Sequence, residues 1–157
     1  MPITENMLSV SAIKEGTVID HIAAGQAMNL LRHLKFAEWG IHVTIGLNLK
    51  SASRGLKDLI KLEGIFLTPI QANQIAIFAP TATVNVIQDY KVAKKFPVSL
   101  PDRIEQLLSC PNGRCITQTE KISTVFHVEE NNSRVLLRCK FCEKSFDLEI
   151  KRVQIDD

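Results

Sequence analysis

The sequence predicts an α+β protein in two parts: a ferredoxin-like antiparallel sheet with two helices on one face, then a small all-β unit with four cysteine ligands. Three observations predict it. The hydrophobic period over residues 7–94 switches from two to about 3.6 and back, twice. All four cysteines, Cys110, Cys115, Cys139 and Cys142, lie in the last third of the 157 residues. A proline-rich stretch near residues 97–101 falls between these regions.

The elements follow in order. Leu8, Val10 and Ala12 alternate with small polar residues, which predicts a half-buried strand over residues 7–14, with Thr17-Val18-Ile19 as a short extension after Gly16. From Ala23 to Lys35, Ala24, Ala27, Met28, Leu31 and Leu34 recur at three- and four-residue steps, the apolar face of a helix. Asp20 stands before that run and can cap it. Ile41, Val43, Ile45, Leu47 and Leu49 alternate with polar residues as a strand, and residues 57–63 give another after a loop at residues 51–55. Thr68-Pro69-Ile70-Gln71 has the capping box and first-turn proline of a helix start, and Pro80 stops that helix. Ala82–Ile87 reads as a strand and Tyr90–Lys94 as a short last one. The order β-α-β-β-α-β is the split βαβ pattern, whose second sheet face stays open to bind something or to meet a second copy.

Ser99-Leu-Pro-Asp102 has the form of another helix start, so one or two helical turns over residues 101–108 are expected to join the two parts. Beyond Cys115, residues 124–128, 134–138 and 145–150 read as strands, with turn chemistry at residues 130–133. The expected division is residues 1–98, a linker helix at 99–109, and residues 110–157. The last part is smaller than a self-sufficient core usually requires.

The spacing Cys110-Pro-Asn-Gly-Arg-Cys115 and Cys139-Lys-Phe-Cys142 points to one structural Zn2+. Thiolates are soft donors, and four of them match the tetrahedral preference of zinc and leave no position open for catalysis. Such an ion contributes on the order of 10–16 kcal/mol, more than so small a core supplies. The competing reading is four reduced, buried cysteines, which two closely spaced pairs disfavour.

Composition narrows the function classes. The net charge of +2 is too small to argue for nucleic acid. No apolar run approaches the ~20 residues of a membrane span. The N-terminus lacks the basic and apolar regions of a signal peptide, so a cytoplasmic setting is expected, where thiols hold metals more often than disulfides. Lys57 and Lys61 share strand parity, as do Lys91 and Lys95 if that segment is extended. Such lysines either converge on an anion or form a solvated basic face. Asp20-His21 either holds a ribose and a phosphate or caps a helix and lies on the surface. No catalytic constellation is present in the sequence.

Several motifs in series nevertheless carry a resemblance. They are Gly16-Thr-Val-Ile-Asp-His-Ile22, Thr44-Ile-Gly-Leu-Asn-Leu49, Lys57-Asp-Leu-Ile-Lys61, Ala79-Pro-x-Ala-Thr-Val-Asn85, Ser99-Leu-Pro-Asp-Arg-Ile104, Cys110-Pro-Asn112 and Cys139-Lys-Phe-Cys-Glu-Lys144. Over nearly its whole length the chain resembles the regulatory chain of aspartate carbamoyltransferase. The resemblance implies a non-catalytic subunit of pyrimidine biosynthesis: an allosteric domain that binds CTP, ATP and also UTP, then a zinc domain that docks on the catalytic chain. It implies a homodimer through the allosteric domain, within an assembly of two catalytic trimers and three regulatory dimers. Neither nucleic acid nor membrane is expected as a partner.

Carried over motif by motif, the resemblance places Asp20 on ribose, His21 on phosphate, Lys61 on the base or ribose region and Lys95 on the phosphates. Backbone groups around Ala12, Ile13, Tyr90 and Val92 would read the base edge. Asn85 and Ile87 would line the pocket, and Lys57 would assist a second nucleotide. Lys94 adjoins Lys95, and either could be the phosphate lysine; Ser11 and Phe96-Pro97-Val98 depart from the family pattern. The other readings are a stand-alone zinc-ribbon nucleic-acid-binding protein, which demands salt-dependent affinity for DNA or RNA, and a stand-alone small-molecule sensor.

Overall fold

The alternation that begins at Gly16 builds β1 (Gly16–Ala23), the central strand of a five-stranded sheet. The structure, a computed structural model, describes residues 12–52 and 55–148. After β1 come α1 (Ala27–Leu34), a 3-10 turn at Phe36–Trp39, β2 (Val43–Ser51), β3 (Gly55–Glu63), α2 (Pro69–Phe78), β4 (Thr83–Gln88) and β5 (Lys91–Pro97). The strand order is β2-β3-β1-β4-β5, with every neighbouring pair antiparallel. This is the expected split βαβ arrangement, with β5 added along β4.

Register separates the two faces of the sheet. Ile19 lies opposite Ile60 on β3 and Val84 on β4, and all three are buried. Leu30 of α1, Ile75 of α2 and Phe36 are buried with them. Each such side chain stabilises the fold by roughly 1.5–3 kcal/mol. One residue earlier, Val18 lies opposite Lys61 and Asn85, on the other face. Gly16 is needed for close approach: a Cβ there would lie 2.1 Å from the Leu62 carbonyl oxygen.

α2 starts as its capping box predicts. The Gln71 amide donates to Thr68 Oγ1, and the Thr68 amide donates to Gln71 Oε1 at 2.9 Å. α1 begins later than its periodicity suggests, because β1 continues through Ala23, which pairs with Lys57. Asp20 does not cap it. The first turn of α1 is instead held by Asp58 of β3, whose Oδ2 accepts from the Gly25 amide at 2.9 Å and the Ala27 amide at 3.2 Å. Met28, read as part of the apolar face, is exposed. The strand expected over residues 7–14 lies outside the described residues up to residue 11, and residues 12–15 belong to no strand.

The chain divides into two compact units at the Ser99–Leu100 junction. The second unit is a four-stranded antiparallel sheet in the order β6 (Arg103–Glu105), β7 (Val125–Asn131), β8 (Arg134–Cys139), β9 (Ser145–Asp147). The helix expected over residues 101–108 is therefore absent. Arg103–Glu105 extends along β7, with buried Ile104 opposite buried Phe126. Exposed, buried, exposed at Arg103, Ile104 and Glu105 is a strand's period. Cross-strand pairing of a large apolar residue outweighs the local helix-start signal. The segment 100–109 thus belongs to the second unit instead of linking the two. A one-turn helix, α3 (Ile116–Thr119), follows Cys115, where no element was expected. The β7–β8 turn places Asn132 and Ser133 at positive φ, as a two-residue hairpin requires.

Candidate ligand site and metal centre

The sheet face not covered by the helices carries a cavity of about 280 Å³ in the first unit. Ala12, Ile13, Asp20, Lys61, Asn85, Ile87, Tyr90 and Val92 line it, all residues proposed from sequence. Val18 and Leu59 line it too and were missed. Their signal was available: Val18 is two residues from Asp20, and Leu59 lies midway between Lys57 and Lys61, so strand parity puts them on this face.

The floor comes from pairing. Val18 on β1 lies between Lys61 on β3 and Asn85 on β4, and Asn85 Nδ2 donates to the Val18 carbonyl at 3.2 Å. Lys61 and Asn85 are buried polar side chains on an otherwise apolar floor. Burial pushes the Lys61 ammonium below its ordinary value, since desolvation penalises the charged form. Tyr90 reaches the cavity from the β4–β5 turn, where Asp89 and Tyr90 both have positive φ and the Tyr90 amide donates to the Lys14 carbonyl at 3.0 Å. Asp suits a two-residue turn of this kind; Tyr adopts that backbone at a cost of about 1 kcal/mol or more.

The neighbouring lysines part at a bulge. Ile87 pairs with Val92 but Val86 pairs with Lys94, so Ala93 is an extra residue on β5. Lys95 then lies opposite Asn85, on the cavity face of the sheet, as an exposed side chain that is not among the residues lining the cavity. Lys94 lies opposite Val86, with its ammonium 5.5 Å from the centre of the Phe96 ring. The same bulge corrects the expected pairing of Lys91 and Lys95: Lys91 is opposite Gln88, so the two fall on opposite faces.

His21 and Lys57 line a second cleft of about 250 Å³, together with Ser51 and Thr81, which the sequence reading did not single out. His21 is the extra residue of a bulge in β1 and has φ 56. Its Nδ1 is buried without a hydrogen-bond partner, 3.9 Å from the Asp20 carboxylate. Asp20, which lines the first cavity, joins the two: its Oδ1 lies 2.9 Å from Lys57 Nζ and accepts from the His21 amide at 2.7 Å. Burial alone would raise the Asp20 carboxyl. The bonds and charges of Lys57 and His21 outweigh it, and the pKa lies below the ordinary 3.8.

In the second unit the sulfurs of Cys110, Cys115, Cys139 and Cys142 all lie within 4.8 Å of one another. Cys110 and Cys142 are 3.7 Å apart, and Cys115 and Cys139 are 3.8 Å apart. A tetrahedral ion with metal–sulfur bonds of about 2.3 Å, the zinc–thiolate length, separates its sulfurs by about 3.8 Å. The residues present therefore fit such an ion. Burial pushes the Cys110 thiol up to about 12, while hydrogen bonds from the Thr117 hydroxyl and amide lower Cys115 to about 7. Full ionisation of the set at neutral pH thus requires the metal's own charge.

Residues 8–99 match the family model described as aspartate carbamoyltransferase regulatory chain, allosteric domain, and residues 102–152 match the metal binding domain of the same chain. The two matches together define a non-catalytic regulatory chain: an allosteric domain followed by a metal-binding domain. The sequence is 53% identical to the aspartate carbamoyltransferase regulatory chain of Cronobacter sakazakii, over 90% of this chain and 93% of that one. It is 52% identical to that of Sodalis glossinidius, over 91% and 93%, and 49% identical to that of Chromobacterium violaceum, over 90% and 93%. The chain belongs to the family of aspartate carbamoyltransferase regulatory chains. Among the described residues, no helix is long and apolar enough to cross a membrane.

Proposed function

We propose that this chain is the nucleotide-responsive subunit of an aspartate carbamoyltransferase, binding CTP, ATP or UTP in its first unit and controlling pyrimidine biosynthesis through the catalytic chains. One observation carries the reading: Asp20, Lys61 and Asn85 line one cavity on the open sheet face together with Tyr90 and Val92. A carboxylate accepts from ribose hydroxyls, a buried cation and an amide meet a polar base, and Val18 and Ile87 offer the ring an apolar floor. Lys95 on the same sheet face and Lys57 in the adjoining cleft supply positive charge toward a triphosphate, and His21 beside Lys57 offers it a ring nitrogen. Of the two adjacent lysines, Lys95 is the phosphate ligand, because Lys94 faces the other way. Lys57 also has the position to serve a second nucleotide.

The metal of the second unit is zinc, and its role is to hold a docking surface for the catalytic chain. Ile116, just after Cys115, and Phe141, between Cys139 and Cys142, are both exposed apolar residues. When bound, the ion supplies cross-linking and charge neutralisation, with no chemistry on a substrate. Exposed Ile45 and Leu47 on the edge strand β2 favour a homodimer through the first unit. An effector would change activity only by binding one state of the assembly more tightly, with a coupling of about 1–3 kcal/mol.

The test is reconstitution with catalytic trimers, with and without zinc, followed by activity titrations with ATP, CTP and UTP. Zinc-dependent assembly and a nucleotide-dependent shift in the aspartate response are expected. Assembly without zinc, or an activity curve that no nucleotide moves, would count against the reading.

A further inference from the structure

Both strands that flank β3 bulge at the same level. β1 carries its extra residue between Ile19 and Ile22, and β2 carries one between Gly46 and Leu49. Each bulge contains a non-glycine residue at φ 56, His21 in β1 and Asn48 in β2. A bulge removes an amide from the ladder, and a buried amide without a partner is destabilising. The His21 amide is satisfied by Asp20. The Asn48 amide donates to Asp58 Oδ1 at 3.0 Å. The other oxygen of the same carboxylate takes the amides of Gly25 and Ala27, in the turn that leaves β1. Asp58 is completely buried, on the helix-covered face directly beneath this level. Its chain neighbour Lys57 points to the opposite face and reaches Asp20.

We propose that Asp58 is a positioning residue for the phosphate side of the ligand site, its carboxylate fixing the β2 bulge and the turn after the β1 bulge so that His21 and Lys57 face the triphosphate. The proposal rests on the nucleotide reading above. Only a carboxylate suits the position, because three N–H groups converge on two oxygens. An asparagine has one acceptor oxygen and would turn its own NH2 toward a donor. The hydrogen bonds of the Asp58 carboxylate run to Gly25, Ala27 and Asn48, none of which lines the first cavity, so its direct hold is on the phosphate side and not on the base end.

The experiment is titration of the metal-loaded full chain, wild type and Asp58→Asn, with CTP and with cytidine. The variant should lose about tenfold in CTP affinity, the scale of one hydrogen bond to a charged group, while cytidine changes by less than about twofold. A role in stability alone would lower both affinities by one factor or leave both unchanged, and either result overturns the proposal. A wild-type chain that binds neither probe removes the nucleotide reading and the proposal together. Wild-type binding with an unchanged variant ratio removes the proposal only. If Asp58→Asn does not yield folded chain, wild-type amide exchange decides. Exchange at Gly25, Ala27 and Asn48 should slow further with CTP but not with cytidine, and equal exchange with both probes overturns the assignment.

Discussion

The Lys57 ammonium sits 2.9 Å from the Asp20 carboxylate, and each side chain is only 21% exposed. Screening by solvent is therefore limited, and the ion pair shapes the titration of Asp20. In Lys57→Met, burial stays and the opposing charge goes, so the Asp20 pKa should rise above its wild-type value. In the wild type, the folded pKa lies below 3.8. The pair's contribution to stability is thus intact above the unfolded pKa and lost as pH falls through the lower folded value. Carboxyl titration by NMR, with acid unfolding of both chains, checks the shift; an unmoved Asp20 would discount the pair.

Lys95→Ala should weaken CTP binding by about tenfold or more, the scale of a lost hydrogen bond to a charged group, and Lys94→Ala by less than about twofold. The bulge at Ala93 makes the distinction, since it places only Lys95 opposite Asn85. Calorimetry on the assembled enzyme reads both. Equal losses in the two variants would show that neighbouring lysines share the phosphate, against the register.

Lys61 gives a pH signature. Its ammonium is held below the ordinary 10.5 by burial. A nucleotide anion favours the protonated form, so binding takes up a proton wherever Lys61 is part-neutral. CTP affinity should fall as pH rises through the lowered pKa, below the range of an ordinary lysine. Stability of the ligand-free chain should move the other way: between the folded and unfolded pKa values the unfolded state holds more protons, so stability rises with pH. In Lys61→Arg the affinity profile should be flat over the same range. A wild-type profile that is equally flat counts against contact between Lys61 and the ligand.

Removing one sulfur ligand should cost the second unit its fold. Cys115→Ser leaves three thiols, and structural zinc binding is worth about 10–16 kcal/mol. Loss of metal content, loss of β-sheet dichroism from the second unit and failure to assemble with catalytic chains are expected together. The first unit should still bind nucleotide. A zinc-free variant that assembles normally would remove the docking role.

Ile104→Ala tests the strand found where a helix was expected. It removes a buried contact opposite Phe126 and should destabilise the second unit by about 2–5 kcal/mol. Thermal unfolding of the metal-loaded chain reads the loss. Arg103→Ala and Glu105→Ala, at exposed positions of the same strand, should each change stability by less than about 1 kcal/mol.

The strand and helix order of the first unit, the capping box of α2 and the cysteine cluster were legible because each is a local signal. Period reports which residues face inward, caps report where a helix begins, and paired cysteines report a shared ion. Asp20, Lys61, Asn85 and Tyr90 were named from the resemblance, and the sheet does bring them to one cavity; that Tyr90 stands in a turn and not at the start of the last strand is seen only in the fold. What periodicity by itself could not supply was the bulges. An extra residue at His21, Asn48 or Ala93 reverses side-chain parity on one strand, and only the paired strands reveal it. Tertiary structure therefore decided that Lys95 and not Lys94 joins Asn85, that Asp58 and not Asp20 holds the start of α1, and that residues 103–105 pair with β7. Each of these turns on a partner distant in the chain. The side chains that could pair were written in the sequence, and the choice among them followed from which strands lay close enough to bury them.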